Sequence, residues 1–151
     1  MPKKTRAAAI AAGAIGAVTA IASAPANAQT VQFPQTSSLF YGGLVCSGNI
    51  RTWADTSPQA HGRAVFNVQA TGVQGVGPGA YPFAPLCNVD TTVAWHNVNT
   101  NASGQYRVNV VSGIYGSILY ANSQNTGPGH IEVTVTTNNA SAPSHGAFDV
   151  P

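Results

Sequence analysis

Residues 90–111 constrain the fold of this chain more than any other stretch of its sequence. Over 105–110, polar and apolar side chains alternate with the period of two that is typical of a β-strand with one buried face. Val93 and Trp95 share a face in the first half of the stretch. The alternation breaks near His96, which indicates either a β-bulge or the end of a strand. The sequence therefore predicts a β-hairpin here.

The pairing of the two strands follows from their apolar residues. If Trp95 lies opposite Val108 and Val93 lies opposite Val110, four apolar side chains meet on one face. The turn then consists of the six residues that end at Gly104. This glycine supplies the positive φ that the return of the chain requires.

Short segments of the same kind recur along the chain, separated by residues rich in Gly, Pro and Asn. The candidate strands are 30–33, 39–41, 44–53, 63–70, 113–119, 130–137 and 147–150. Residues 71–86, with four Gly and three Pro, and residues 121–129 are predicted to be loops. Because no helical repeat is evident after residue 28, we expect an all-β domain. It is an antiparallel β-sandwich, immunoglobulin-like in a loose sense, or a small barrel.

The first 28 residues predict a signal peptide. Basic residues near the start precede an apolar run over 7–22, and Ala-Asn-Ala at 26–28 places cleavage before Gln29. A membrane anchor is the alternative, but the run is shorter than the about 20 residues that span a bilayer. We therefore expect a single exported domain over 29–151, with no membrane span after cleavage.

The two cysteines, Cys46 and Cys87, are expected to form a disulfide, since paired cysteines are usual in exported chains. On the chain-entropy model this crosslink stabilises the fold by about 4 kcal/mol. Two free thiols are the alternative. A metal-binding role has less support, because the sequence has no Cys-x-x-Cys motif.

The charge of the expected mature chain excludes two classes of partner. It contains three Arg, no Lys and four acidic residues, a formal net charge of −1. Nucleic-acid binding and polybasic attachment to a membrane surface therefore lack an electrostatic basis. A surface built from Asn, Thr, Ser and Gln suits the cell envelope or the extracellular medium, with a cell-wall component, a protein or a glycan as partner.

A resemblance to known proteins is carried by the C-terminal half. The run TVAWHNVNTNASG at 92–104 is followed by NTGPGHIEVTV at 125–135 and by GAFDVP at 146–151. This pattern resembles that of small exported β-rich proteins of high-GC actinobacteria. The resemblance implies an exported β-rich fold, and it implies no catalytic residue.

Motifs for catalysis are missing from the sequence. It contains neither a Gly-x-Ser-x-Gly nucleophile elbow nor a His-Glu-x-x-His zinc motif. Glu132 is the only glutamate, and the glycine pattern at 75–80 lacks the helix that dinucleotide binding requires. We therefore assign no catalytic residue and no cofactor.

His130 and Glu132 are the best candidate metal ligands. Because the two residues are two positions apart on a predicted strand, their side chains lie on one face and can approach one cation. A third ligand would be Asp149 or His145. The alternative interpretation is an outward polar face on an amphipathic strand.

Aromatic residues on loops are the candidate binding residues, because rigid aromatic rings beside amide side chains can contact a glycan or a peptide. They are Tyr81, Phe83, Tyr115 and Tyr120. The same residues could instead cover the ends of a sandwich.

Three functions follow from these observations. The first is an exported envelope or extracellular β-domain with a non-enzymatic binding or structural role. The second is a small secreted hydrolase or metal-dependent enzyme that uses His130 and Glu132. The third is a secreted inhibitor or effector, which rests on size and the disulfide alone.

Overall fold

The computed structural model describes residues 27–42, 45–76, 86–113, 116–139 and 141–151. The expected signal peptide lies outside these residues except for its last two, so cleavage before Gln29 stays a prediction. No helix among the described residues is long and apolar enough to cross a membrane.

The described residues form ten strands and one turn of 3-10 helix at Pro58–Ala60. The strands are β1 Gln29–Gln32, β2 Thr36–Tyr41, β3 Val45–Thr56, β4 Arg63–Val76, β5 Cys87–Asn97, β6 Ser103–Gly113, β7 Gly116–Ser117, β8 Leu119–Asn125, β9 Gly129–Thr137 and β10 Ser144–Val150. The prediction of an all-β domain is confirmed.

All strand pairs are antiparallel, and the sheet is nearly closed into a barrel. Neighbouring strands follow the order β10-β9-β5-β2-β3-β4-β8, with β1 on β3, β6 on β5 and β7 on β6. Strand β5 has β6 along one edge and β9 along the other, and its start also meets β2. Of the two predicted architectures, the small barrel is therefore the closer description.

The core fills the barrel with the inward side chains of the alternating strands. Phe40, Ile50 and Phe66 are fully buried, and Phe148 packs edge-on against Phe66 at 5.8 Å between ring centroids. The outward residues of the same strands are mostly polar. This arrangement is the period-two pattern expected from the sequence.

The disulfide Cys46–Cys87 is confirmed, and it joins β3 to the first residue of β5. The Cα atoms of the two residues are 6.4 Å apart. Both cysteines are fully buried. The crosslink therefore fixes the point at which β5 enters the core.

The predicted hairpin exists, but its predicted register is wrong by four residues. Trp95 lies opposite Gly104 instead of Val108, and Val93 lies opposite Tyr106. The indole of Trp95 occupies the space where a side chain would begin at residue 104, since a Cβ there would lie 2.5 Å from Cζ2 of the ring. Gly104 is therefore required for packing.

The positive φ of this turn belongs to another residue. Asn101 has a φ of 60°, a conformation that Asn tolerates better than most residues. The turn closes where the backbone N–H of Asn97 donates to the carbonyl of Ala102 at 2.7 Å. The predicted role of Gly104 in the turn is wrong.

Two predicted loops are partly strands. Strand β4 continues to Val76, so 71–76 is not loop, and Gly72 adopts a φ of +61° beside an irregularity in the β3–β4 register. Residues 77–85 of that predicted loop lie outside the described residues. In the second predicted loop, 121–125 belongs to β8. The inward residues of β8 include Asn122 and Gln124, so the apolar alternation that identifies a strand is missing.

Asn97, at the end of β5, holds two turns together through a buried amide. Its side chain is fully buried, and Nδ2 donates to the carbonyls of Thr126 at 2.9 Å and Pro128 at 3.0 Å. Oδ1 accepts from the backbone N–H groups of Asn99 at 2.9 Å and Thr100 at 3.1 Å. One side chain thus satisfies backbone groups in the β5–β6 turn and in the β8–β9 turn.

The substitution Asn97→Ala is expected to lower the free energy of unfolding by about 3 kcal/mol, because it leaves buried backbone groups in two turns without partners. Urea denaturation followed by tryptophan fluorescence measures the change. The control is Asn125→Ala, at the exposed end of β8, with an expected change below about 0.5 kcal/mol. Equal losses in the two variants would contradict the role of Asn97.

Candidate functional site

The outward side chains of β10, β9, β5 and β6 form one continuous polar surface, which we call the histidine face. Its members are Asp90, Thr92, Ala94, His96, Ser103, Gln105, Arg107, Asn109, His130, Glu132, Thr134, Thr136, His145, Ala147 and Asp149. It carries three imidazoles, three carboxylates and one guanidinium.

His130 and Asp149 are in direct contact at one end of this face. They are opposite each other on β9 and β10, and Nδ1 of His130 lies 2.9 Å from Oδ1 of Asp149. The two side chains are 47% and 79% exposed. An ion pair this exposed is weak, because water screens it. The contact orients the imidazole, with little effect on stability.

Glu132 and His145 have different neighbours. Glu132 lies opposite Ala147 on one side and His96 on the other. His145 lies opposite Thr134, with 3.1 Å between its Nδ1 and the threonine Oγ1. The four predicted ligand candidates therefore share a face, but only His130 and Asp149 are in contact.

The geometry brings together fewer of the four candidate ligands than a metal ion usually requires. Within the described ranges, no group of three or more His, Cys, Asp or Glu side chains is placed to hold a metal ion. A cation at His130 would have the Asp149 carboxylate as its one neighbouring ligand, whereas typical sites need three or more protein ligands. The outward polar face is the interpretation of His130 and Glu132 that the geometry favours.

The other end of the histidine face is an amide network around Asp90. Its Oδ1 accepts from Nδ2 of Asn109 at 2.7 Å, and its Oδ2 accepts from Nδ2 of Asn138 at 3.2 Å. The backbone N–H of Asn138 also donates to the carbonyl of Asp90 at 3.0 Å. These residues are far apart in sequence, so pattern analysis could not group them.

Three shallow depressions lie along the histidine face. One of about 440 Å³ lies beside Thr92 and Arg107, and one of about 410 Å³ surrounds Ala94. A third, of about 400 Å³, lies between Glu132 and His145 over Ala147. The small side chains of the two alanines create the lower parts of this surface. The face can therefore hold an extended polar partner, and it provides no enclosed cleft.

The predicted aromatic binding residues divide into two groups. Tyr81, Phe83 and Tyr115 lie outside the described residues, so their proposed role stays a prediction. Tyr120 is on β8 and faces inward, where its hydroxyl accepts from the backbone N–H of Val111 at 3.2 Å. Tyr120 therefore links β8 to β6, and its hydroxyl is directed into the barrel wall.

Tyr120 has neighbours that no pattern in the sequence indicates. Tyr106, on β6, packs against the core as Tyr120 does. Burial raises the pKa of the Tyr106 phenol above its ordinary value of 10.0, and the nearby Tyr120 phenol raises it further. Nε1 of Trp95 lies 3.4 Å from Oε1 of Gln124, a second side-chain link to β8. The side chains thus connect β8 to β6 and to β5, and β8 shares a ladder of hydrogen bonds with neither of them.

Because the pKa of Tyr106 is raised, the free energy of unfolding is expected to fall at alkaline pH. The phenol ionises more readily in the unfolded chain, so the folded state loses stability as the pH rises above about 10. In Tyr106→Phe this part of the pH dependence is expected to disappear. The exposed Tyr41→Phe is the control and keeps the wild-type dependence. Urea denaturation across about pH 8–11 measures both, and identical slopes in all three proteins would contradict the assignment.

Comparison with known proteins found no matching family model, no matching curated protein and no matching solved structure. The chemistry of the described surfaces is therefore the basis on which a function can be proposed.

Proposed function

We infer that this chain is an exported β-domain with a non-enzymatic role, and that it binds or assembles through the histidine face in the cell envelope or the extracellular medium. The observation that carries this proposal is the face itself. Four neighbouring strands present short polar side chains in one surface, with three imidazoles and three shallow depressions.

The covalent chemistry of the chain supports a location outside the cytoplasm. The Cys46–Cys87 disulfide is compatible with an oxidising, extracellular environment. The expected signal peptide over 1–28 points the same way. The low charge of the expected mature chain suits retention among uncharged polymers, because few charged groups would have to be desolvated on contact.

The polar groups of the face suit a polar partner. Hydroxyl, amide and imidazole groups donate and accept hydrogen bonds at modest cost in desolvation. Carboxylates outnumber the single guanidinium of Arg107, so a polyanion would be repelled at neutral pH. A cell-wall component, a polar protein surface or a glycan therefore fits this face best.

A secreted enzyme is the second candidate, and the contact between His130 and Asp149 is the observation that favours it. A carboxylate that orients an imidazole is part of many general-base sites. The variant His130→Asn separates the two functions: an enzyme loses turnover of its substrate, whereas a binding domain keeps its structure and most of its binding.

The binding test uses matched pairs of substitutions. In Ala94→Arg with Ala147→Arg, two long charged side chains fill depressions of the histidine face. The control, Ala121→Arg with Ser123→Arg, places the same side chains on the outward face of β8, which is not part of the histidine face. Sedimentation of the mature protein with isolated cell envelopes measures the bound fraction.

The wild-type protein and the β8 control are expected to sediment with the envelope, and the double variant of the histidine face is expected to bind about tenfold more weakly. Circular dichroism checks that all three are folded. Recovery of the wild-type protein only as a free monomer, or equal binding by both double variants, would refute the proposal.

A further inference from the structure

A pocket of about 530 Å³ lies outside the histidine face and shares no lining residue with it. Nine residues of β2, β3, β4 and the segment before β10 line it. None of the nine is charged and none is aromatic; five carry hydroxyl or amide groups, and the others are Gly, Ala and Leu39. The pocket is open to solvent, as the depressions of the histidine face are, and it is somewhat larger than they are.

An irregularity in the β3–β4 pairing lies beside this pocket. The register shifts between Ser47 and Asn49, so that Ser47 pairs with Gln74 whereas Asn49 pairs with Thr71. Gly72 has a φ of +61°, and a Cβ there would meet no atom within 4 Å. Bulges of this kind often adjoin functional sites, because they redirect side chains and expose the backbone.

The walls of the pocket are held in place by its own hydrogen bonds. Ser38 Oγ lies 2.7 Å from Oγ1 of Thr137, and Nδ2 of Asn139 donates to the carbonyl of Leu39 at 2.8 Å. A β-bridge between Ser38 and Ser141 fixes the segment before β10 against β2. The site is therefore preorganised, which lowers the entropic cost of binding.

Several polar groups of the pocket have capacity for a ligand. Ser37 donates to Oδ1 of Asn49 at 2.7 Å, which leaves Nδ2 of that amide directed to no other described residue. The hydroxyls of Ser47 and Ser141 make no hydrogen bond within the described part of the chain. Each hydroxyl can donate one hydrogen bond and accept two.

We propose that this pocket binds an uncharged saccharide. A charged ligand would find no countercharge among the lining residues, and an apolar ligand would find Leu39 as its main apolar contact. A sugar ring offers several hydroxyls to the serine and asparagine groups and an apolar C–H face to Leu39. The site is separate from the histidine face, so the failure of either proposal leaves the other standing.

The test is a titration of the folded mature protein, with the backbone amide signals followed by NMR. The uncharged probes are mannose, galactose, arabinose and maltose at up to about 100 mM, a concentration at which even binding with a millimolar Kd is detected. Glucuronate and inorganic phosphate are the charged comparisons. We expect at least one uncharged probe to shift the amide signals of Ser47, Gly72 and Ser141, and the charged probes to leave them unchanged.

The double variant Ser47→Ala with Ser141→Ala removes both hydroxyls and is expected to weaken that binding about tenfold. The matched control, Ser123→Ala with Asn125→Ala, removes two exposed polar side chains of β8 that belong neither to the pocket nor to the histidine face, and should bind as the wild type does. The proposal is overturned if no uncharged probe shifts these signals, if the shifts lie elsewhere, if the charged probes bind equally well, or if the two double variants behave alike.

Discussion

The buried amide of Asn97 is the interaction on which the arrangement of this barrel most depends. It satisfies backbone groups in two turns that are about 30 residues apart along the chain. At the other end of the same strand, Cys87 is crosslinked to Cys46. Both ends of β5 are therefore fixed, one by a covalent bond and one by four hydrogen bonds.

The fixed position of β5 determines the surfaces around it. Strands β6 and β9 pair with the two edges of β5. Any displacement of β5 would therefore change how the outward side chains of these three strands are aligned on the histidine face. The position of Glu132 opposite His96 depends on the β5–β9 register, whereas the contact of His130 with Asp149 depends on the β9–β10 register. The candidate site is thus a product of strand registers, with little contribution from loops.

The composition of the chain explains why its surfaces suit binding. With few charges and many hydroxyl and amide side chains, the outward faces of the barrel can contact a polar polymer without burying unpaired charge. The histidine face differs mainly in charge from the pocket lined by Ser47 and Ser141, whose lining residues are all uncharged. All the described acidic residues other than Asp55 lie on the histidine face. The two surfaces therefore suit different partners.

Local patterns predicted the strands well, but they could not predict how distant strands meet. The period of two identified β5, β6 and β9, and the spacing of His130 and Glu132 placed them on one face. The hairpin register was missed because matching apolar residues takes no account of the space that Trp95 fills over Gly104.

Contacts between residues far apart along the chain cannot be recognised from local patterns in the sequence. Strand β8 was missed because its inward side chains are partly polar, and these bond to residues on other strands. The pairing of His130 with Asp149 depends on the β9–β10 register. The pocket lined by Ser47 and Ser141 lies beside an irregularity between β3 and β4, which no period in either strand reveals.

Photo-cross-linking in the living cell tests the central claim, that this protein acts through the histidine face, most directly. A photoreactive amino acid is substituted either for Thr134, in the middle of that face, or for Ser123, on the outward face of β8. The account predicts that Thr134 cross-links to an envelope or extracellular component and that Ser123 does not. Cross-linking at Ser123 alone, or at neither position, would contradict it.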